Sequence, residues 1–151
     1  MRISAKGDYA MRAALELAAT EHPPLKRDQI ATAQQIPVKF LETILGELKH
    51  AGIVASQRGA DGGYSLARPA EEVTLADVLR VMDGPLASVR DQRPESVSYS
   101  GSAETLQEVW VALRSSMRAV LEQVTLADVV AHHLPADVAE LTADPEAWSS
   151  A

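Results

Sequence analysis

The 151-residue chain contains no cysteine. Disulfides, thiolate-held zinc, thiol nucleophiles and cysteine-ligated iron–sulphur clusters are therefore excluded within it. Aromatic residues are scarce too, with one Phe, two Trp and three Tyr. A core must then be built from Leu, Ile, Val and Ala. No apolar run approaches the roughly 18 residues that cross a bilayer. Met1-Arg2-Ile3-Ser4-Ala5-Lys6 lacks the apolar stretch of a signal peptide. A cytoplasmic protein with no membrane partner is expected. Positive charge is in deficit, with 14 basic and 21 acidic residues giving a net charge of −7. Apolar residues at 46% and charged residues at 23% are the balance of a folded globular chain. The length fits one domain, or a small domain with a dimerisation arm.

The charge is unevenly spread. Residues 1–70 hold nine basic and seven acidic side chains, a net of +2. Residues 71–151 hold five and fourteen, a net of −9. Such asymmetry is compatible with a weakly basic half that binds something anionic and an acidic half that faces elsewhere. Acidic residues that merely keep the protein soluble would leave the same imprint.

Apolar spacing predicts a helix over 7–20, on Ala10, Ala13, Ala14, Leu17 and Ala18. Glu21-His22-Pro23-Pro24 ends it. A short helix over 27–33 and the connection Gln34-Gln35-Ile36-Pro37 lead to a third helix from Val38 to Ala51. Its buried stripe is Phe40, Leu41, Ile44, Leu45 and Leu48, and Gly52 stops it. Two short helices joined by a tight turn form a helix-turn-helix pattern, which many helical proteins contain. Strand 53–58, the loop Gly59-Ala60-Asp61-Gly62-Gly63 and strand 64–67 then make a hairpin. Helix-turn-helix followed at once by a hairpin is the winged-helix arrangement, in which the third helix enters a major groove.

Residues 73–82 predict another helix with Thr74 as N-cap. Residues 85–102 read as a loop, long for a compact domain. Residues 103–124 predict a helix about 30 Å long with one apolar stripe: Leu106, Val109, Trp110, Leu113, Met117, Val120, Leu121 and Val124. Little in so small a chain can cover that stripe, so a second subunit is the natural partner. Residues 125–131 continue as a short capped helix. The acidic tail from 135 to 151 is expected to be loose. The fold class is mainly α with a small β-hairpin. Residues 1–84 form a winged helix-turn-helix unit, and 103–134 a dimerisation helix with its following short helix.

Enzyme chemistry finds no foothold. No phosphate-binding glycine loop, paired-carboxylate motif, metal-ligand spacing or nucleophile elbow is present. Gly59–Gly63 is flanked by strands on both sides, whereas a dinucleotide loop opens a helix.

Three blocks carry a more specific signal. The first is Met1 to Ala10. The second runs from Ile36-Pro37-Val38-Lys39-Phe40-Leu41-Glu42 through Ala51-Gly52-Ile53-Val54 to Arg58-Gly59-Ala60-Asp61-Gly62-Gly63-Tyr64. The third pairs Thr74-Leu75-Ala76-Asp77-Val78 and Gly84-Pro85-Leu86 with Thr125-Leu126-Ala127-Asp128-Val129. Over residues 1–131 the chain resembles the IscR/NsrR/CymR family of bacterial winged helix-turn-helix regulators (the "Rrf-two" type). The resemblance implies a homodimeric transcription factor, commonly a repressor, bound to a partly palindromic double-stranded DNA operator. It implies that Lys39, Phe40, Glu42 and Thr43 face DNA, that Arg58 and Gly59 sit at the wing, and that Ser4, Lys6 and Tyr9 help grip phosphates. It implies a dimer interface on Leu106, Val109, Trp110, Leu113, Met117, Val120 and Leu121.

The residue chemistry agrees. Lys39 and Thr43 share one helix face. Lys contacts guanine or phosphate, and Thr a thymine methyl. Glu42 suits discrimination through cytosine. Arg58 suits a narrow minor groove. A solvated helix surface is the plainer reading of Lys39 and Glu42.

Many members of the family carry three cysteines, holding an iron–sulphur cluster, in the segment corresponding to 85–102. This chain has none there, so no cluster cofactor is expected. Asp8 matches a position that supplies a non-cysteine ligand in some members, but it reads better as a helix N-terminal carboxylate. The departure opens the question of the signal. A small anionic metabolite would be met by Arg90, Arg93, Tyr99 and Trp110. A metabolic-enzyme partner is another route, and no signal at all is a third. Metal at His132-His133 is disfavoured, because adjacent helical residues point about 100° apart. An adaptor that binds protein and not DNA is the rival use of the same fold.

Overall fold

The computed structural model describes residues 2–150. Helix α1 runs Ala5–Ala19 and begins a half-turn before the apolar pattern suggests, because Ser4 caps it. The Ser4 hydroxyl accepts from the Gly7 N–H at 2.8 Å. Ala10, Ala13 and Ala14 are fully buried and Leu17 nearly so. Their small size lets neighbouring helices lie close on several sides of α1.

Helix α2 spans Arg27–Gln34, and Gln35 turns the chain in the left-handed region at φ 52°. Helix α3 follows over Val38–His50. Gly52, at φ 75°, breaks it as predicted. Leu41, Ile44, Leu45 and Leu48 are wholly buried, whereas Phe40, expected in the same stripe, is 56% exposed. One residue's rotation around the helix from Leu41, about 100°, carries Phe40 out of the core.

Strands β1 (Val54–Gln57) and β2 (Gly63–Leu66) pair antiparallel, from Val54↔Leu66 to Gln57↔Gly63. Leu25 bridges the far edge of β2 through Tyr64, with N···O distances of 2.9 and 2.7 Å. The wing is thus tied to the α1–α2 connection. That contact demands glycine at 63, where φ is 153° and a Cβ would meet the Leu25 carbonyl oxygen at 2.4 Å.

Helix α4 covers Leu75–Asp83 and packs on α1. The hexapeptide Val73–Val78 recurs letter for letter at Val124–Val129. Each copy builds a capping box. Thr74 and Asp77 cap α4, and Thr125 and Asp128 cap α6 (Leu126–Val130). The copies lie side by side, with Leu75 N–H donating to Val124 O at 3.0 Å and Leu126 N–H to Val73 O at 2.9 Å. Helix α6 consequently packs on α1, and Leu126 joins the same core as Ile30 and Leu41. Between the two copies the chain makes an excursion through the 85–102 segment and α5 (Leu106–Leu121).

Helix α5 is shorter than the expected 103–124, and Val124, expected on its stripe, lies beyond its end and is buried. Two further expectations are corrected. The 85–102 segment has more structure than a bare loop, with a tight turn closed by Val89↔Gln92 and a 3-10 turn at Pro94–Ser96. Leu86, Pro94 and Val97 are buried and hold it down. The tail is not loose throughout either. Helix α7 forms over Ala136–Leu141 with Val138 buried, and Pro145–Trp148 makes a 3-10 turn.

The paired capping boxes generate a stability test. Thr125→Ala removes the hydroxyl that accepts from Asp128 N–H at 3.2 Å. It is expected to cost about 1 kcal/mol, lowering the thermal midpoint by roughly 2–4 °C, measurable by circular dichroism.

Candidate nucleic-acid interface

The buried stripe of α3 leaves Lys39, Phe40, Glu42, Thr43 and Gly46 outward. Lys39 makes no ion pair among the described residues, and the Thr43 hydroxyl leans on Lys39 O at 3.4 Å. Glu42 lies 3.5 Å from Arg27 of α2, so its charge is partly offset and its position steadied. Gly46 is unexpected. Glycine in mid-helix costs about 1 kcal/mol relative to alanine, and nothing lies within 4 Å of the Cβ it lacks. Packing does not call for it. Its effect is a bare patch of backbone on the exposed face, next to Thr43 and one turn beyond Glu42. The sequence signal was available as a lone Gly inside the α3 pattern.

The three residues expected near the start of α1 are close to this face, with internal partners. Ser4 offers its backbone N–H to Asp83 Oδ2 at 3.2 Å and its hydroxyl to Asp83 Oδ1. Gly7 makes room for that clasp, since a Cβ there would meet Asp83 Oδ2 at 2.6 Å. Lys6 Nζ holds both Glu47 oxygens, at 2.6 and 2.8 Å, and so links α1 to α3. The Tyr9 ring stands 6.1 Å from that of Phe40, tilted by 56°, with the Arg12 guanidinium 5.0 Å above it. Arg12 also bonds Asp8 at 3.0 Å and Gln34 O at 2.6 Å. Asp8 therefore serves as a helix N-terminal ion-pair partner. Asp83 and Glu47 escaped the sequence reading because only the fold brings them to α1.

Arg58 and Gly59 sit exposed at the tip of the wing, and Arg58 makes no ion pair among the described residues. Gly62 sets the tip's tightness, because a Cβ there would lie 2.2 Å from Gln57 O.

Helix α5 has no buried residue. Val109 is 54% and Leu113 47% exposed, while Leu106, Trp110, Met117, Val120 and Leu121 are half-buried. The candidate effector residues do not converge. Trp110 lines a cavity of about 450 Å³ with Leu113, Met117, Leu86 and Pro94, and its Nε1–H donates to the Tyr99 hydroxyl at 3.1 Å. Arg93 lines a different basin. Arg90 occupies the exposed Val89–Gln92 turn at φ 51° and lines neither. Glu95 is held below the ordinary carboxylate range by its own backbone N–H and then by Arg114, and Glu122 by hydrogen bonds from Arg80 and then Arg118. Both stay ionised at neutral pH.

These features, a three-helix unit with an exposed α3 and an anchored hairpin, define a winged helix-turn-helix protein. The model of the Rrf2 family, described as iron-dependent transcriptional regulators, matches residues 3–132. The chain belongs to the Rrf2 family of DNA-binding transcriptional regulators, and not to an enzyme family. It is 52% identical over 151 residues to a Mycobacterium tuberculosis protein provisionally named HTH-type transcriptional regulator Rv1287, covering 99% of this chain and 94% of that one. It is 32% identical to the HTH-type transcriptional regulator CymR of Bacillus subtilis over 87% of this chain and 91% of that one. The solved structure of B. subtilis CymR superposes with a TM-score of 0.75 at 31% identity, over 87% of this chain and 98% of that one. The structure of T. potens IscR superposes at 0.67 and 30% identity, over 100% and 93%.

The residues here do not fit the iron of the family's description. There is no thiolate in the chain, and among the described residues no three His, Cys, Asp or Glu side chains gather to hold a metal. His132, at φ 53°, and His133 follow the end of α6, outside its helical body.

Two glycines generate opposite expectations. Gly46→Ala should raise stability by about 1 kcal/mol. Gly62→Ala should lower it by about 1–3 kcal/mol through overpacking. Urea unfolding of both variants measures the contrast.

Proposed function

We propose that the chain is a homodimeric repressor of a partly palindromic double-stranded operator, controlled without an iron–sulphur cluster. The observation that carries the dimer is α5. A sixteen-residue amphipathic helix with no buried side chain needs a cover, and a second α5 crossing it supplies one symmetrically. Each protomer then offers α3 to a major groove and its wing to the adjoining backbone or minor groove. Lys39 and Thr43 read base edges, beside Phe40, with Glu42 rejecting some sequences. Gly46 lets the helix approach closely, and Arg58 with Gly59 reaches the groove beyond. Lys6 exchanges Glu47 for a phosphate, while Ser4 and Tyr9 hold α1 against the backbone. A small metabolite, or a metabolic-enzyme partner, takes the place of the cluster as signal.

Fluorescence anisotropy on the upstream region of the protein's own gene, against a scrambled duplex over a salt series, tests this reading. Selective binding that weakens steeply with salt is expected. Lys39→Ala should lose about 1–3 kcal/mol of operator affinity, and Arg58→Ala should reduce the salt slope by about 1. Equal, feeble retention of both duplexes would favour a winged-helix adaptor.

The dimer has its own measurement. Leu113→Glu places a charge on the exposed stripe and should give a monomer by light scattering. Operator affinity should fall with it, while far-ultraviolet circular dichroism stays unchanged. A dimer surviving that substitution would remove α5 as the interface.

A further inference from the structure

The acidic half of the chain, residues 71–151, has five basic side chains, and all are arginine. Four of them meet. Arg80 of α4, Arg93 of the 85–102 segment, and Arg114 and Arg118 of α5 line one open basin of about 530 Å³ against the Gly84–Ala87 turn. Two carboxylates answer them. Glu95 pairs with Arg114, and Glu122 braces the rim by pairing with both Arg80 and Arg118. Arg93 makes no ion pair among the described residues. Four guanidiniums against two ionised carboxylates leave an excess of two positive charges. This excess stands in a half whose net charge is −9. Glu95 itself lines the basin, and the guanidinium charge left over makes the basin attractive to an external anion. Guanidinium forks match carboxylate and phosphate oxygens two at a time.

We propose that this basin binds a small dianion, a metabolite bearing a phosphate group or two neighbouring carboxylates, with Arg93 as the free arm that closes on it. The site is distinct from the apolar cavity beside Trp110, although the Gly84–Ala87 turn walls both. Asp83, which clasps Ser4 at the head of α1, immediately precedes that turn. An occupant therefore bears on the joint between α5 and the DNA-facing unit. As a signal the site rests on the DNA-binding reading above; as a binding site it does not.

Titration calorimetry of the full chain without DNA separates the two. The probes are inorganic phosphate and succinate, with acetate and chloride as monoanion controls at equal ionic strength. Saturable binding of one dianion per chain is expected, with Kd below about 1 mM. Heat from phosphate alone assigns a phosphate ester, and heat from succinate alone a dicarboxylate. Arg93→Ala and Arg118→Ala should each weaken binding by about tenfold with unchanged circular dichroism. Arg68→Ala, an exposed arginine outside the basin, should leave binding unaltered. No saturable heat from either dianion, equal heat from acetate, or equal affinity in Arg93→Ala and Arg68→Ala would overturn the proposal. None of those results bears on operator binding.

Discussion

The structure depends on how closely helices can approach α1. Ala10, Ala13 and Ala14 present almost no side chain, so α2, α3, α4 and α6 all contact one fifteen-residue rod. The larger volume comes from the partners, through Ile30, Leu41, Ile44, Leu45, Leu48, Val78 and Leu126. Small residues on the hub and branched ones around it give a dense interior without aromatics. Enlarging a hub alanine would push several elements at once. The same crowding fixes the angle of α3, on which any reading of a DNA groove relies.

Much of this was legible in the chain. The α1–α4 order, the hairpin and the caps at Thr74 and Thr125 follow from apolar spacing, glycine placement and hydroxyl residues, all local signals. Part of what escaped was non-local. The identical hexapeptides at 73 and 124 could be seen as a repeat, but not as neighbours joined backbone to backbone. Phe40 was placed in the core because periodicity tolerates one extra apolar residue on the stripe's edge. The tail was misread because its acidic composition hid the short apolar set around Val138.

For the site, chemistry was easier to foresee than company. Lys39 and Arg58 are exposed and make no ion pair among the described residues, and Thr43 is exposed beside Lys39. Ser4 and Lys6 were chosen for the same chemistry, yet Asp83 and Glu47 claim them inside the chain. On the acidic side, Arg90 and Arg93 looked equivalent by sequence distance. A left-handed turn sends Arg90 away, while α4 and α5 bring three distant arginines to Arg93. Sequence neighbours made a poor guide where helices from separate segments meet.

The two backbone hydrogen bonds between the hexapeptides have a mechanical consequence. They pin the start and end of everything between Val78 and Val124 to a single point on the DNA-facing unit. That stretch behaves as a cassette with a fixed mounting. Substitutions or length changes inside it leave the two mounting hydrogen bonds in place, because those bonds are made by backbone atoms of the hexapeptides alone.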